Sequence, residues 1–227
     1  MISASLGTFF WLSAVYFYLK YSMELSPYTD VIFLMIIVIF MYFINVNIMQ
    51  TKCGSSNNDV FKATLLPWVG MFGPMLVALY FFPDWKNPFS NTFGYIVARI
   101  AGGTSLLLNL LKPGSEVSLH YVYNDPSLLL NQFTPRNFET VLASLHSETE
   151  ITEDKKAAFY KIVKLKDIIS EWIWHLLTAM IVTSTSYTML MNGECTKSAD
   201  EYVLSHNIAM ANTDEEVVDP TLYTITE

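Results

Sequence analysis

Cys53 and Cys195, Arg99, and the histidines His120, His146, His175 and His206 are the side chains of this sequence whose chemistry asks for an explanation. Two cysteines can pair where both thiols reach one oxidising face. An arginine in an apolar stretch needs a carboxylate, carbonyls or water, and Asp84 and Asp59 are the nearest acids before it in sequence. The four histidines are too scattered for a metal site, and no cofactor is implied. There is no Gly-x-Ser-x-Gly, no Walker-type glycine loop, no His-Glu-x-x-His and no Cys-x-x-Cys, so nothing points to an enzyme.

The elements that must position these residues are apolar. Of the 227 residues 52% are hydrophobic and only 15% charged, and mean hydropathy is +0.33, too oily for an ordinary soluble domain. The expected fold class is an all-α integral membrane protein with four to five transmembrane helices, a partly helical extramembrane loop and an acidic C-terminal tail. Charge-poor windows place spans at about 6–22, 31–49, 64–82 and 169–191. A weaker fifth covers 93–111. It holds Arg99 and the pair Gly102 and Gly103, so it spans, lies in the interface, or dips in and returns. The first segment has no basic region before it and no small-x-small cleavage site after it, and reads as a retained anchor. Ile at position 2 excludes myristoylation.

The third segment is bounded like a span that meets water. Trp68 at one end and Phe81, Phe82 and Trp85 at the other are placed like an interfacial aromatic belt, with Pro83 and Pro88 stopping the helix. Trp172 and Trp174 mark the interface end of the last span. Polar residues within the spans are Asn45, Asn47 and His175. They read either as functional groups or as interhelical hydrogen bonding and interfacial solvation.

Charge leaves two topologies open. With five spans and a cytosolic N-terminus, nine Lys/Arg face the cytosol against three opposite; with four and an outward N-terminus, ten face it against three. Both satisfy the positive-inside rule. Both also put the tail from Asn192 to Glu227, with eight acids and Lys197, on the non-cytosolic face. The cysteines separate the two: five spans place them on opposite faces, and four place them on the same face, where they either pair or remain free thiols.

The region 112–168 is the largest stretch outside the spans. It begins as loop with one short strand at most. Thr134-Pro135 signals a short helix, and Thr152, with Glu153 and Asp154 behind it, opens a long helix that runs without Gly or Pro into the last span. Lys155, Lys156, Lys161, Lys164 and Lys166 precede that span. They read either as contacts to anionic headgroups or an acidic partner, about 1 kcal/mol each, or as a topology signal with snorkelling side chains. Seven bases against eight acids in this region argue against nucleic acid.

Two blocks carry a resemblance: KCGSSNNDVFKATLLPWVGMFGPMLVALYFFPDWKNPFSNTFGY (Lys52 to Tyr95) and KLKDIISEWIWHLLTAMIVTSTSYTMLMNGEC (Lys164 to Cys195). In Cys53-Gly54, Pro67-Trp68, Phe72-Gly73, Phe82 to Trp85, Pro88 to Tyr95, Ser186-Tyr187 and Cys195 the chain resembles multi-span membrane proteins of nucleocytoplasmic large DNA viruses, including the algal chloroviruses. Asp84 stands where that pattern has Gly. The resemblance implies a structural protein of the virion's internal membrane, sited in host endomembrane during assembly and acting as a minor capsid component. Its partners would be the bilayer and capsid or other minor capsid proteins, with oligomers allowed. It brings no catalytic residues, and a Cys in each block favours a shared face or a disulfide. The competing function is a small channel or transporter using Arg99 and the polar intramembrane residues.

Overall fold

The structure, a computed structural model, describes residues 2–23, 25–26, 28–53, 59–110, 126–145, 152–193, 195, 203–204 and 207. Among these the regular elements are all helical. The loop predicted after Lys112, Lys197 and nearly all of the acidic tail lie outside the described residues, as do His120, His146 and His206.

Four long helices follow the predicted apolar segments: α1 (Ile2–Ser22), α2 (Tyr28–Cys53), α3 (Asp59–Phe81) and α8 (Glu153–Asn192). Of these, α2 and α3 are long and apolar enough to cross a membrane, with mean hydropathies of 2.6 and 1.5. Together with the C-terminal half of α8 they form a bundle. Phe9 and Phe17 of α1, Phe33 and Ile37 of α2, Trp68 and Phe72 of α3, and Ala179 and Val182 of α8 fill its centre. The outward face is apolar too. Trp11, Val15, Ile39, Phe43, Val69, Val77, Met180 and Ile181 are each at least half exposed, a surface that suits lipid rather than water.

Within α3, Pro67 and Pro74 each lack the N–H an α-helix requires. The chain passes between them as a π-turn, Trp68–Phe72, closed by the Gly73 N–H on the Trp68 carbonyl, the widened turn with which helices absorb such a defect. That turn faces Trp68 and Phe72 inward, with ring centroids 5.7 and 5.9 Å from Phe9. Trp68 is therefore no part of an interfacial belt. It is fully buried, because the π-turn rotates it onto α1.

A second unit is built on the N-terminal half of α8. After α3 ends, a 3-10 turn (Pro83–Lys86), a helical turn (Asn87–Phe89) and a second π-turn (Ser90–Gly94) lead into α4 (Tyr95–Ile100) and α5 (Gly103–Leu110). Then come α6 (Pro126–Leu130) and α7 (Phe138–Leu145). Ala98, Leu107, Leu130, Phe133, Phe138, Phe159 and Val163 form its core. Pro83 does stop α3, but Pro88 sits in the first turn of the next helical piece and starts it, where a missing N–H costs nothing. The segment 93–111 is not one helix: it breaks at Ala101 and Gly102, the latter at φ +87°. Thr134 and Asn137 exchange hydrogen bonds, Thr134 N to Asn137 Oδ1 at 2.7 Å and Asn137 N to Thr134 Oγ1 at 3.3 Å. The cap predicted at Thr134 thus forms, with the helix proper starting three residues beyond Pro135. Thr152 opens α8 without a side-chain cap.

Within the second unit backbones nearly touch. A Cβ on Gly94 would lie 2.5 Å from the Lys166 carbonyl oxygen, and one on Gly103 would lie 2.8 Å from both the Ala98 carbonyl oxygen and Ile162 Cγ2. Gly73 has open space around it. Gly94→Ala is accordingly expected to destabilise by about 1–3 kcal/mol and Gly73→Ala to leave stability near the wild type. Detergent-solubilised thermal unfolding of the two variants checks this, and equal midpoints would remove the close approach from the account.

Candidate functional site

One end of the bundle gathers charges from α1, α2, α8 and the turn that follows α3. Lys20 near the end of α1 donates to Asp30 at the start of α2 at 2.9 Å and to Glu171 of α8 at 2.5 Å. Lys86, just past α3, reaches Asp167 at 2.5 Å and Glu171 at 3.7 Å. The Tyr16 hydroxyl donates to Asp30, and Lys164 donates to the Tyr21 carbonyl at 3.0 Å, closing the C-terminal end of α1. Glu171 is the hub: its side chain is 11% exposed and both of its oxygens are engaged. One helical turn inside, His175 donates its Nδ1 hydrogen to the Glu171 carbonyl (2.8 Å) among Phe17, Phe33 and Phe72, while its Nε2 finds no hydrogen-bond partner among the described residues. His175 is thus an interior residue of the aromatic core, not an interfacial one.

The opposite end is fastened covalently. Cys53 and Cys195 form a disulfide, with Cα atoms 5.4 Å apart. Beside it Lys52 donates to the carbonyls of Leu190, Met191 and Gly193 at 3.2, 2.7 and 2.7 Å, a cation where the α8 dipole is negative. The end of α2 and the end of α8 therefore share one end of the bundle.

Asn45 is buried and donates both amide hydrogens, to Thr64 Oγ1 at 2.8 Å and Ser186 Oγ at 2.9 Å, tying α2 to α3 and α8. The cavity beside it is about 10 Å³, the size of a single water at most. Asn47 is exposed and its carbonyl accepts from Thr51. Arg99 lies exposed on the outside of α4. Trp172 donates to Ser13 Oγ and Trp174 to the Trp85 carbonyl, each at 2.9 Å. Trp85 itself is 54% exposed. Trp174 also packs edge-on against Phe89.

The five lysines divide. Lys155 and Lys161 are exposed, Lys156 pairs with Glu139 of α7 at 2.9 Å, and Lys164 closes α1. Lys166 does not snorkel: it is 1% exposed, wedged against Gly94, with Nζ donating to the Leu130 carbonyl at 3.2 Å and to Asn91 Oδ1 at 3.5 Å. Burial, partly offset by Asp167, pushes its pKa down to about 8.

Sequence reasoning overlooked the charged rim. Its signal is visible in hindsight, because Lys20, Asp30, Lys86 and Glu171 each flank an apolar run at a position that four antiparallel helices bring to one end. Among the described residues no group of three or more His, Cys, Asp or Glu could hold a metal. No known protein family, characterised protein or solved structure matches this chain.

Glu171→Gln leaves two lysines poorly compensated and is expected to destabilise on the order of 3 kcal/mol, whereas Glu139→Gln at the exposed pair should leave the unfolding midpoint unchanged. Comparable losses in chemical unfolding would show that the rim is not the dominant network. Lys166 supplies a pH test. Between about pH 8 and 10.5 the unfolded chain holds a proton that the folded one has released, so stability rises with pH across that window. Lys166→Met should abolish the rise, and parallel stability curves for both proteins would contradict the burial.

Proposed function

We propose that this chain is a four-span structural membrane protein of a large DNA virus particle, anchoring the internal membrane to the icosahedral capsid as a minor capsid component. The observation that carries the reading is α8. From Glu171 to Asn192 it is roughly 31 Å long, the thickness of a bilayer's hydrocarbon core, and from Glu171 back to Glu153 it continues for about 27 Å. One unbroken rod thus runs through the bundle and into the lobe that packs on its outer half. Such a strut suits a protein that must hold a membrane at a set distance from a shell.

Four spans, α1, α2, α3 and the second half of α8, follow from this placement. The disulfide supports that count, since four crossings bring Cys53 and Cys195 to one face. The 93–111 segment is then part of the lobe, broken at Gly102 and packed on Ile162 and Phe159. In this count Lys20 at the end of α1 and the nine Lys/Arg from Lys86 to Lys166 fall on the cytosolic side, with the disulfide and tail opposite, on a face where a disulfide is stable. Capsid proteins are made in the cytosol, so docking falls to the lobe rather than to the tail. The role is mechanical, and the viral-protein resemblance of the Lys52 to Tyr95 and Lys164 to Cys195 blocks agrees with it: Pro88 to Tyr95 contains the turn and the glycine that seat the lobe on α8. A channel has less behind it, because Asn45 spends its amide on other helices and Arg99 lies outside the bundle.

Two measurements bear on this. In a Cys53→Ser/Cys195→Ser background, cysteines introduced at Lys62 and Lys161 should react with an impermeant maleimide from opposite sides of sealed vesicles; labelling from the same side would restore five spans. In intact particles stripped stepwise with salt and detergent, Lys155, Lys156 and Lys161 should crosslink to capsid proteins. Absence from particles, or crosslinks confined to the chain itself, would overturn the anchoring role.

A further inference from the structure

Between the charged rim and the lobe lies an open cavity of about 230 Å³, several times the roughly 30 Å³ that one water occupies. Its charged lining comprises Lys20, Lys86, Arg136, Asp30 and Glu171, three cations against two carboxylates. The lysines are already committed: Lys20 to Asp30 and Glu171, and Lys86 to Asp167 and Glu171. Arg136 is the remainder. It is exposed and makes no ion pair or hydrogen bond with any described residue.

Its position is nevertheless built. Arg136 stands at the tip of the turn closed by the reciprocal Thr134 and Asn137 bonds, and the Asn137 amide also donates to the Gln132 carbonyl at 2.9 Å. That turn holds a guanidinium, whose fork matches two oxygens of a phosphate, at the mouth of the cavity. The wall below is apolar, made by Leu76, Leu79 and Tyr80 of α3, and Tyr80 and Val77 continue it onto the exposed flank of that helix. A phosphate at the rim with hydrocarbon running down α3 satisfies both parts.

We propose that this cavity binds the phosphate group of an anionic phospholipid, with Arg136 as its principal partner and the acyl chains along α3. The site rests on the bundle being a membrane element, as proposed above, but not on any capsid contact, so failure of lipid binding and failure of particle crosslinking are separate results.

The test uses the full chain, disulfide intact, purified in a neutral detergent and titrated with phosphatidylglycerol, phosphatidylcholine or inorganic phosphate, with bound lipid counted by native mass spectrometry. Phosphatidylglycerol should be retained at about one per chain and about tenfold more tightly than phosphatidylcholine, and Arg136→Gln should remove that preference, as loss of one charge-assisted pair predicts. Arg99→Gln, an exposed arginine away from the cavity, should keep it. Equal retention of the two lipids, or a preference surviving in Arg136→Gln, overturns the proposal. Inorganic phosphate competing as well as the lipid does overturns the lipid source, because the site would then read the phosphate alone.

Discussion

Everything else in this protein depends on the neutralisation of charge at one end of an apolar bundle. Glu171 is too enclosed to be ionised alone, and Lys20 and Lys86 are too enclosed to be left without acids. The partners come from α1, α2, α8 and the turn that follows α3. Satisfying all of them at once fixes how far α1, α2, α3 and α8 slide along one another, a specificity role that buried ion pairs serve better than they serve net stability. Hydrophobic contacts alone would tolerate such sliding, because they have no direction.

With that level set, the far end falls into place. The Cys53–Cys195 disulfide and the Lys52 ammonium on the last carbonyls of α8 lie at the other end of the helix that carries Glu171, about 30 Å along it at 1.5 Å per residue. The Asn45 bonds to Thr64 and Ser186 lie between the two ends. Charged groups therefore gather at the two ends, while the flanks carry large apolar side chains. The enclosed charges and the Asn45 amide are thus satisfied by groups on other segments, which lowers the cost of enclosing them.

The lobe depends on the same rim from the other side. Lys86 and Asp167 begin it, Gly94 brings its second turn onto the Lys166 backbone, and Phe133, Phe138 and Phe159 close its core. Because α8 belongs to both units, a load on the lobe is carried by a continuous helix rather than by a hinge. That continuity is what favours the membrane-to-shell strut proposed above.

The helical class, the four long helices and the uninterrupted run into α8 were legible in the amino-acid sequence, because hydropathy, proline positions and N-terminal acids act within a few residues of where they stand. The Thr134 cap was legible for the same reason. Other expectations failed where distant segments meet. Trp68 looked interfacial until the π-turn between Pro67 and Pro74 rotated it inward, Lys166 looked like one basic residue in a row of five until Gly94 covered it, and Pro88 looked like a stop although it starts a helical turn. The cysteine pairing was open in sequence, since both partners and both topologies were compatible with the charges. Only the tertiary structure decided it, along with the charged rim, because both arise from residues far apart in the chain that come together only when all four helices pack.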